Sequence, residues 1–69
     1  MRILKILPAG PGCWQLTGLG EPTYFRSGRA AEATGRRLAS AAAVQGPVEL
    51  QVYDLSGGLA GKLRFNGAA

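Results

Sequence analysis

The side chains able to do chemistry in this chain are few, and they stand apart. The acids are Glu21, Glu32, Glu49 and Asp54, each in a different segment, with no local pair to share acid and base roles. There is one cysteine, Cys13, and no histidine. That inventory provides no zinc, haem or iron–sulfur ligand set and no base beside a nucleophile. Cys13 reads as a small buried or edge thiol. The glycine clusters "GPG", "GLG" and "SGG" read as turns, and no phosphate-cradling G-x-x-x-x-G-K-[ST] spacing occurs. No catalytic, cofactor-binding or metal-ligating residue is therefore assigned, and the expectation is a protein that is not an enzyme.

What remains are cations and aromatics. Eight lysines and arginines against four acids give a net charge of +4. Such a balance attracts anionic partners at long range, and it equally serves solubility. The charges are scattered rather than run together, which favours a solvated surface.

The elements that must position these groups follow from the pattern. "RILKIL" (2–7) reads as a strand, ended by the turn "PAGPG" (8–12). "CWQLTG" (13–18) alternates as a second strand, and "TYFRS" (23–27) as a short third. A helix opens at Ser27 as N-cap and runs to about Val44, where Gln45-Gly46-Pro47 stops it. "VELQVYD" (48–54) and "LAGKLRF" (59–65) form a closing hairpin through "LSGG", and 66–69 are a tail. The result is a single small α+β domain over 1–69, structured over 2–65. Its two layers are a mostly antiparallel sheet of four to five strands and one helix on one face, in ββ(β)αββ order. The strands either side of the helix are candidates to run parallel.

On a helical wheel, Ala31, Gly35, Leu38 and Ala42 form the inward stripe, widened by Thr34 and Ala41. Arg29, Arg36, Arg37 and Ser40 face water. Glycine inside a helix costs about 1 kcal/mol against alanine, so Gly35 is expected to pack closely on a strand residue such as Trp14. The expected core is Trp14, Leu16, Phe25, Leu38, Leu50, Val52, Leu63 and Phe65.

The helix-free face then displays Lys5, Gln15, Thr17, Tyr24, Arg26, Gln51, Tyr53, Lys62 and Arg64, with Ile3 and Leu7 beside them. Two uses fit that set. A chain of 69 residues buries only about 60% of its unfolded surface, and neither disulfide nor metal reinforces it. Self-association is the remaining support, with Ile3, Leu7, Tyr24 and Tyr53 as the interface of a homodimer or higher oligomer. The alternative is a sequence-nonspecific single-stranded nucleic-acid surface built from Lys5, Tyr24, Arg26, Tyr53, Lys62 and Arg64. "KLRFNG" lacks the glycine–aromatic spacing of an RNA-recognition signature. "MRILKIL" is too short for a signal-peptide core or a membrane span, so a cytoplasmic location without membrane contact is expected.

One resemblance covers residues 3–65. "W-Q-L" after a Pro/Gly turn, the helix "AAEATGRRLA" and the hairpin "ELQVYDLSGGL" together resemble small bacterial domains of unknown function. These pair a tryptophan strand with an Ala/Arg helix and an acid–glycine hairpin. The resemblance implies an α+β fold and adds no site residue.

Overall fold

A computed structural model describes residues 1–67. Strands β1 (Arg2–Gly10), β2 (Cys13–Thr17) and β3 (Thr23–Phe25) precede helix α1 (Gly28–Ala42). A single 3-10 turn, Ala43–Gln45, leads on to β4 (Val48–Tyr53) and β5 (Leu59–Phe65). The sheet order is β3-β2-β1-β4-β5. Three of the pairings are antiparallel, whereas β1 and β4 run parallel, so the sheet is mixed. The strands flanking the helix, β3 and β4, point the same way but lie apart, with β2 and β1 between them.

β1 continues through Pro8 to Gly10 instead of turning at Pro8. The proline is tolerated because the β4 ladder has already ended at Ile6–Val52. From there β1 is paired only with β2, where Pro8 sits opposite Trp14, and the missing N–H faces an unpaired edge. Ala9 is the extra residue of a bulge between Pro8 and Gly10. At the other end of the β1–β2 pair, Gly18 has φ of 111° and lies so close that a Cβ would stand 2.5 Å from the Ile3 carbonyl oxygen. No other residue type fits there.

Ser27 caps α1, its hydroxyl accepting from the Ala30 N–H at 3.1 Å. The buried stripe is Ala31, Gly35 and Ala39, continued by Ala43. It is rotated by about one position from the expected one: Leu38 and Ala42 flank it half-buried, and Ala41 is exposed. The four-residue repeat of small side chains wins over the lone leucine because it brings the backbone nearer the sheet. Gly35 packs on Ile6 and Leu50, where a Cβ would stand 3.1 Å and 3.3 Å from their methyl groups. Trp14 instead lies beneath Gly28, in the first turn.

The core is Leu4, Ile6, Leu16, Ala31, Ala39, Ala43, Val48 and Leu50. Trp14, Phe25, Leu38, Val52 and Phe65 pack half-buried around it. Leu63 does not belong to it. It faces the helix side opposite Leu50, but α1 packs over β4, β1, β2 and β3, and Leu63 remains 40% exposed. Leu4 and Ile6, absent from the expected core, are fully buried. They occupy the middle strand, which has two strands on either side of it.

Two outcomes test this packing. Leu50→Ala should destabilise by about 2–5 kcal/mol and Leu63→Ala by no more than about 1 kcal/mol, read from urea unfolding midpoints. Equal costs would contradict the assigned core. Gly35→Leu should cost about 1–3 kcal/mol through overpacking against Ile6 and Leu50. A thermal melt as high as the parent's would show that the helix stands further from the sheet.

Candidate interaction face of the sheet

Residues opposite one another in a ladder share a face, so the register assigns every strand side chain to one side. The helix side takes Leu4, Ile6, Trp14, Leu16, Phe25, Val48, Leu50, Val52, Leu63 and Phe65. The other side has no covering element among the described residues. It presents Ile3, Lys5, Leu7, Gln15, Thr17, Tyr24, Glu49, Gln51, Tyr53, Lys62 and Arg64.

These side chains stand in rows across the strands. Tyr24 opposes Gln15, and Gln15 opposes Leu7. Leu7 and Tyr53 follow Ile6 and Val52, where the β1–β4 ladder ends, and Tyr53 opposes Leu59. This first row is uncharged. The next holds Thr17, Lys5, Gln51 and Lys62, and the third holds Ile3, Glu49 and Arg64. The face is thus divided into an uncharged band with both tyrosines and a field in which Lys5, Lys62 and Arg64 surround one acid.

That acid is held by its own strand. Tyr53 Oη donates to Gln51 Oε1 at 2.8 Å, and Gln51 Nε2 donates to Glu49 Oε2 at 2.6 Å. The relay runs along β4 and is half-buried, which fixes the rotamers of all three residues.

The proposed interface residues are therefore not one cluster. Leu7 and Tyr53 each stand one residue past Ile6–Val52, the last pair of the β1–β4 ladder. Tyr24 is in their row, two strand spacings from Leu7, or roughly 10 Å, on the edge strand and 60% exposed. Ile3 lies four residues along β1 from Leu7, roughly 13 Å away, among the charged rows. The two tyrosines are three strand spacings apart, roughly 14 Å, and do not form one stacking platform. Arg26 follows β3, which ends at Phe25, and stands in the bend before the helix. The uncharged band itself escapes sequence reasoning, because it exists only once β1 and β4 are neighbours.

Beyond the band, the turn from β4 to β5 is built on Asp54. Its Oδ1 accepts from the Ser56 hydroxyl and from the N–H groups of Ser56 and Gly58, the latter two at 2.9 Å and 3.0 Å. The Asp54 N–H donates to the Gly58 carbonyl at 2.9 Å. Cys13 is half-buried at the start of β2. Among the described residues no helix is long and apolar enough to cross a membrane.

No family model, curated protein or solved structure matches the chain.

The Asp54 turn carries a pH prediction. The Ser56 hydroxyl first, then the backbone N–H groups, favour the charged carboxylate and lower its pKa from the ordinary 3.8. A depressed folded-state pKa means the turn's contribution is complete above the ordinary carboxylate value and is lost as pH falls through the lower one. An NMR titration of the Asp54 carboxyl carbon should give a midpoint below 3.8, with the Gly58 amide moving in step. A midpoint at or above the ordinary value would contradict the turn geometry.

Proposed function

We propose that the chain is a non-catalytic accessory module that pairs with a second copy of itself through the open face of its sheet. The observation that carries this is the uncharged band Tyr24, Gln15, Leu7, Tyr53 and Leu59, which crosses all five strands on the uncovered side. A monomer has no internal use for it: Tyr24 and Leu59 are 60% and 48% exposed. An apolar and aromatic strip rimmed by charge is the make-up of an association surface.

Charge decides how the copies meet. A two-fold axis along the row of Lys5 and Lys62 would set each of these lysines against its own copy. A two-fold axis along the band avoids this. It sends the cations of the two copies to opposite ends and turns each cationic field toward the end of the sheet carrying Asp54. The footprint of a sheet this size is at the small end for stable interfaces, about 1,000 Å² in total, the size of a weak or transient association. Packing a second layer on the sheet also reinforces a core that the helix supplies with little more than alanine. The module is assigned to the cytoplasm, where Cys13 remains a free thiol.

A second reading has its own support. Lys5 and Lys62 flank Gln51, Arg64 stands in the next row, and the nearby Glu49 is engaged by Gln51. Such a field suits the backbone of single-stranded nucleic acid. The tyrosine separation removes the paired stacking that would strengthen it.

Light scattering across a dilution series should show a dimer at high micromolar concentration. Leu7→Glu should yield a monomer that remains folded, while Lys5→Gln should leave the dimer intact. A strictly monomeric parent would sink the self-association reading. Oligonucleotide binding whose affinity falls by about 0.7 log units per log unit of salt for each phosphate neutralised would put the second reading in its place.

A further inference from the structure

The sheet has two edges, and they differ. β3 has three residues, is preceded by Pro22 and is followed by the bend at Arg26. It offers almost no ladder. β5 has seven residues and no proline, and among the described residues one of its sides faces no strand. Alternate backbone N–H and C=O groups along that side await a partner. On the helix side, α1 stops short of β5 and leaves a groove of about 280 Å³ walled by Glu32 and Arg36 of the helix and by Val52, Gly61 and Leu63 of the strands.

The side chains of β5 state which strand fits there. Lys62 and Arg64 project to one face, and Leu63 to the other, 40% exposed. A second β5 laid antiparallel with Leu63 on Leu63 sets Lys62 directly against Arg64 of the copy, and like charges opposite one another oppose pairing. The strand that β5 already accepts on its inner side is β4. There Glu49 meets Arg64, Leu50 meets Leu63 and Gln51 meets Lys62. A strand arriving on the outer side meets the same three residues in the same alternation. At the groove wall Arg36 is matched by Glu32, so the positive charge of this edge is that of Lys62 and Arg64.

We propose that the free edge of β5 binds an extended acidic peptide segment of another protein, which adds to the sheet as a further strand. The segment alternates carboxylates with branched apolar residues. Its carboxylates lie beside Lys62 and Arg64, and an apolar side chain lies beside Leu63 in the groove. Backbone hydrogen bonds supply affinity, and the alternation supplies selectivity. This edge is separate from the Leu7–Tyr53 band, and the inference does not depend on self-association.

The test uses the whole protein and a fluorescein-labelled peptide of alternating glutamate and valine, about seven residues long to match the edge. Binding is read by anisotropy and mapped by amide NMR. The expected result is saturable binding, with shifts and slowed amide exchange confined to residues 59–65. Replacing glutamate by lysine in the peptide should abolish binding. The K62E/R64E double variant should weaken it about tenfold or more. A fully N-methylated peptide of the same sequence keeps the charge but cannot form the ladder, and it should not bind. Equal binding of that peptide, shifts mapping to Leu7 and Tyr53, or no binding at millimolar peptide would each overturn the proposal. The N-methylated control is read on the parent protein, so it decides the matter even if the double variant fails to fold.

Discussion

Everything in this small domain depends on how near α1 comes to the sheet at Gly35. With no side chain there, the helix backbone rests on the methyl groups of Ile6 and Leu50. Ala31, Ala39 and Ala43 fill the same line without lifting it. Because the layers are close, leucine and isoleucine on β1 and β4 can be fully buried by a helix that contributes almost no bulk of its own. The cost of a mid-helix glycine, about 1 kcal/mol, is offset by that contact. The same closeness limits how wide a sheet the helix covers. β5 falls at the margin, and its Leu63 is left half in water.

Local chemistry makes most elements legible. Ser27 marks the cap, Gly46-Pro47 marks the end of the helix, and the alternation of "VELQVY" and "LAGKLRF" marks the hairpin. Solvent-facing arginines on α1 also follow from the wheel. Long-range pairing is not legible. Nothing near β1 announces that β4, rather than a hairpin neighbour, takes its second edge. With that pairing hidden, the pattern admits Leu63 to the core and leaves out Leu4 and Ile6. A signal does exist: Lys5 fixes the outward parity of β1, which sends Leu4 and Ile6 inward. Apolar residues at Ile3 and Leu7 on the other face mark a central strand. The tilt of the helix stripe toward Ala39 is hidden for another reason, since hydrophobicity ranks Leu38 above alanine while close packing ranks it below.

The open face behaves the same way for the candidate site. Its members can be named from alternation alone, but their grouping cannot. Strand order turns them into an uncharged band and a cationic field, separates Tyr24 from Tyr53, and sets Ile3 apart. The Glu49–Gln51–Tyr53 relay gives the band a firm border, because the Tyr53 hydroxyl is tied to the polar row behind it. Self-association and anion binding thus draw on neighbouring but distinct parts of one surface.

The parallel pairing of β1 with β4 also governs how the chain reaches this state. Leu4 finds Leu50, and Arg2 finds Val48, only after the whole β2–β3–α1 excursion has been laid down between them. The two hairpins, β1–β2 and β4–β5, can form early from local contacts. Neither has a second layer until the centre of the sheet closes, and closure over so long a loop carries a large entropic barrier. The β1–β4 seam is therefore the strand pairing of greatest sequence separation that the chain must make. Until that seam closes, both halves present bare strand edges to the solvent.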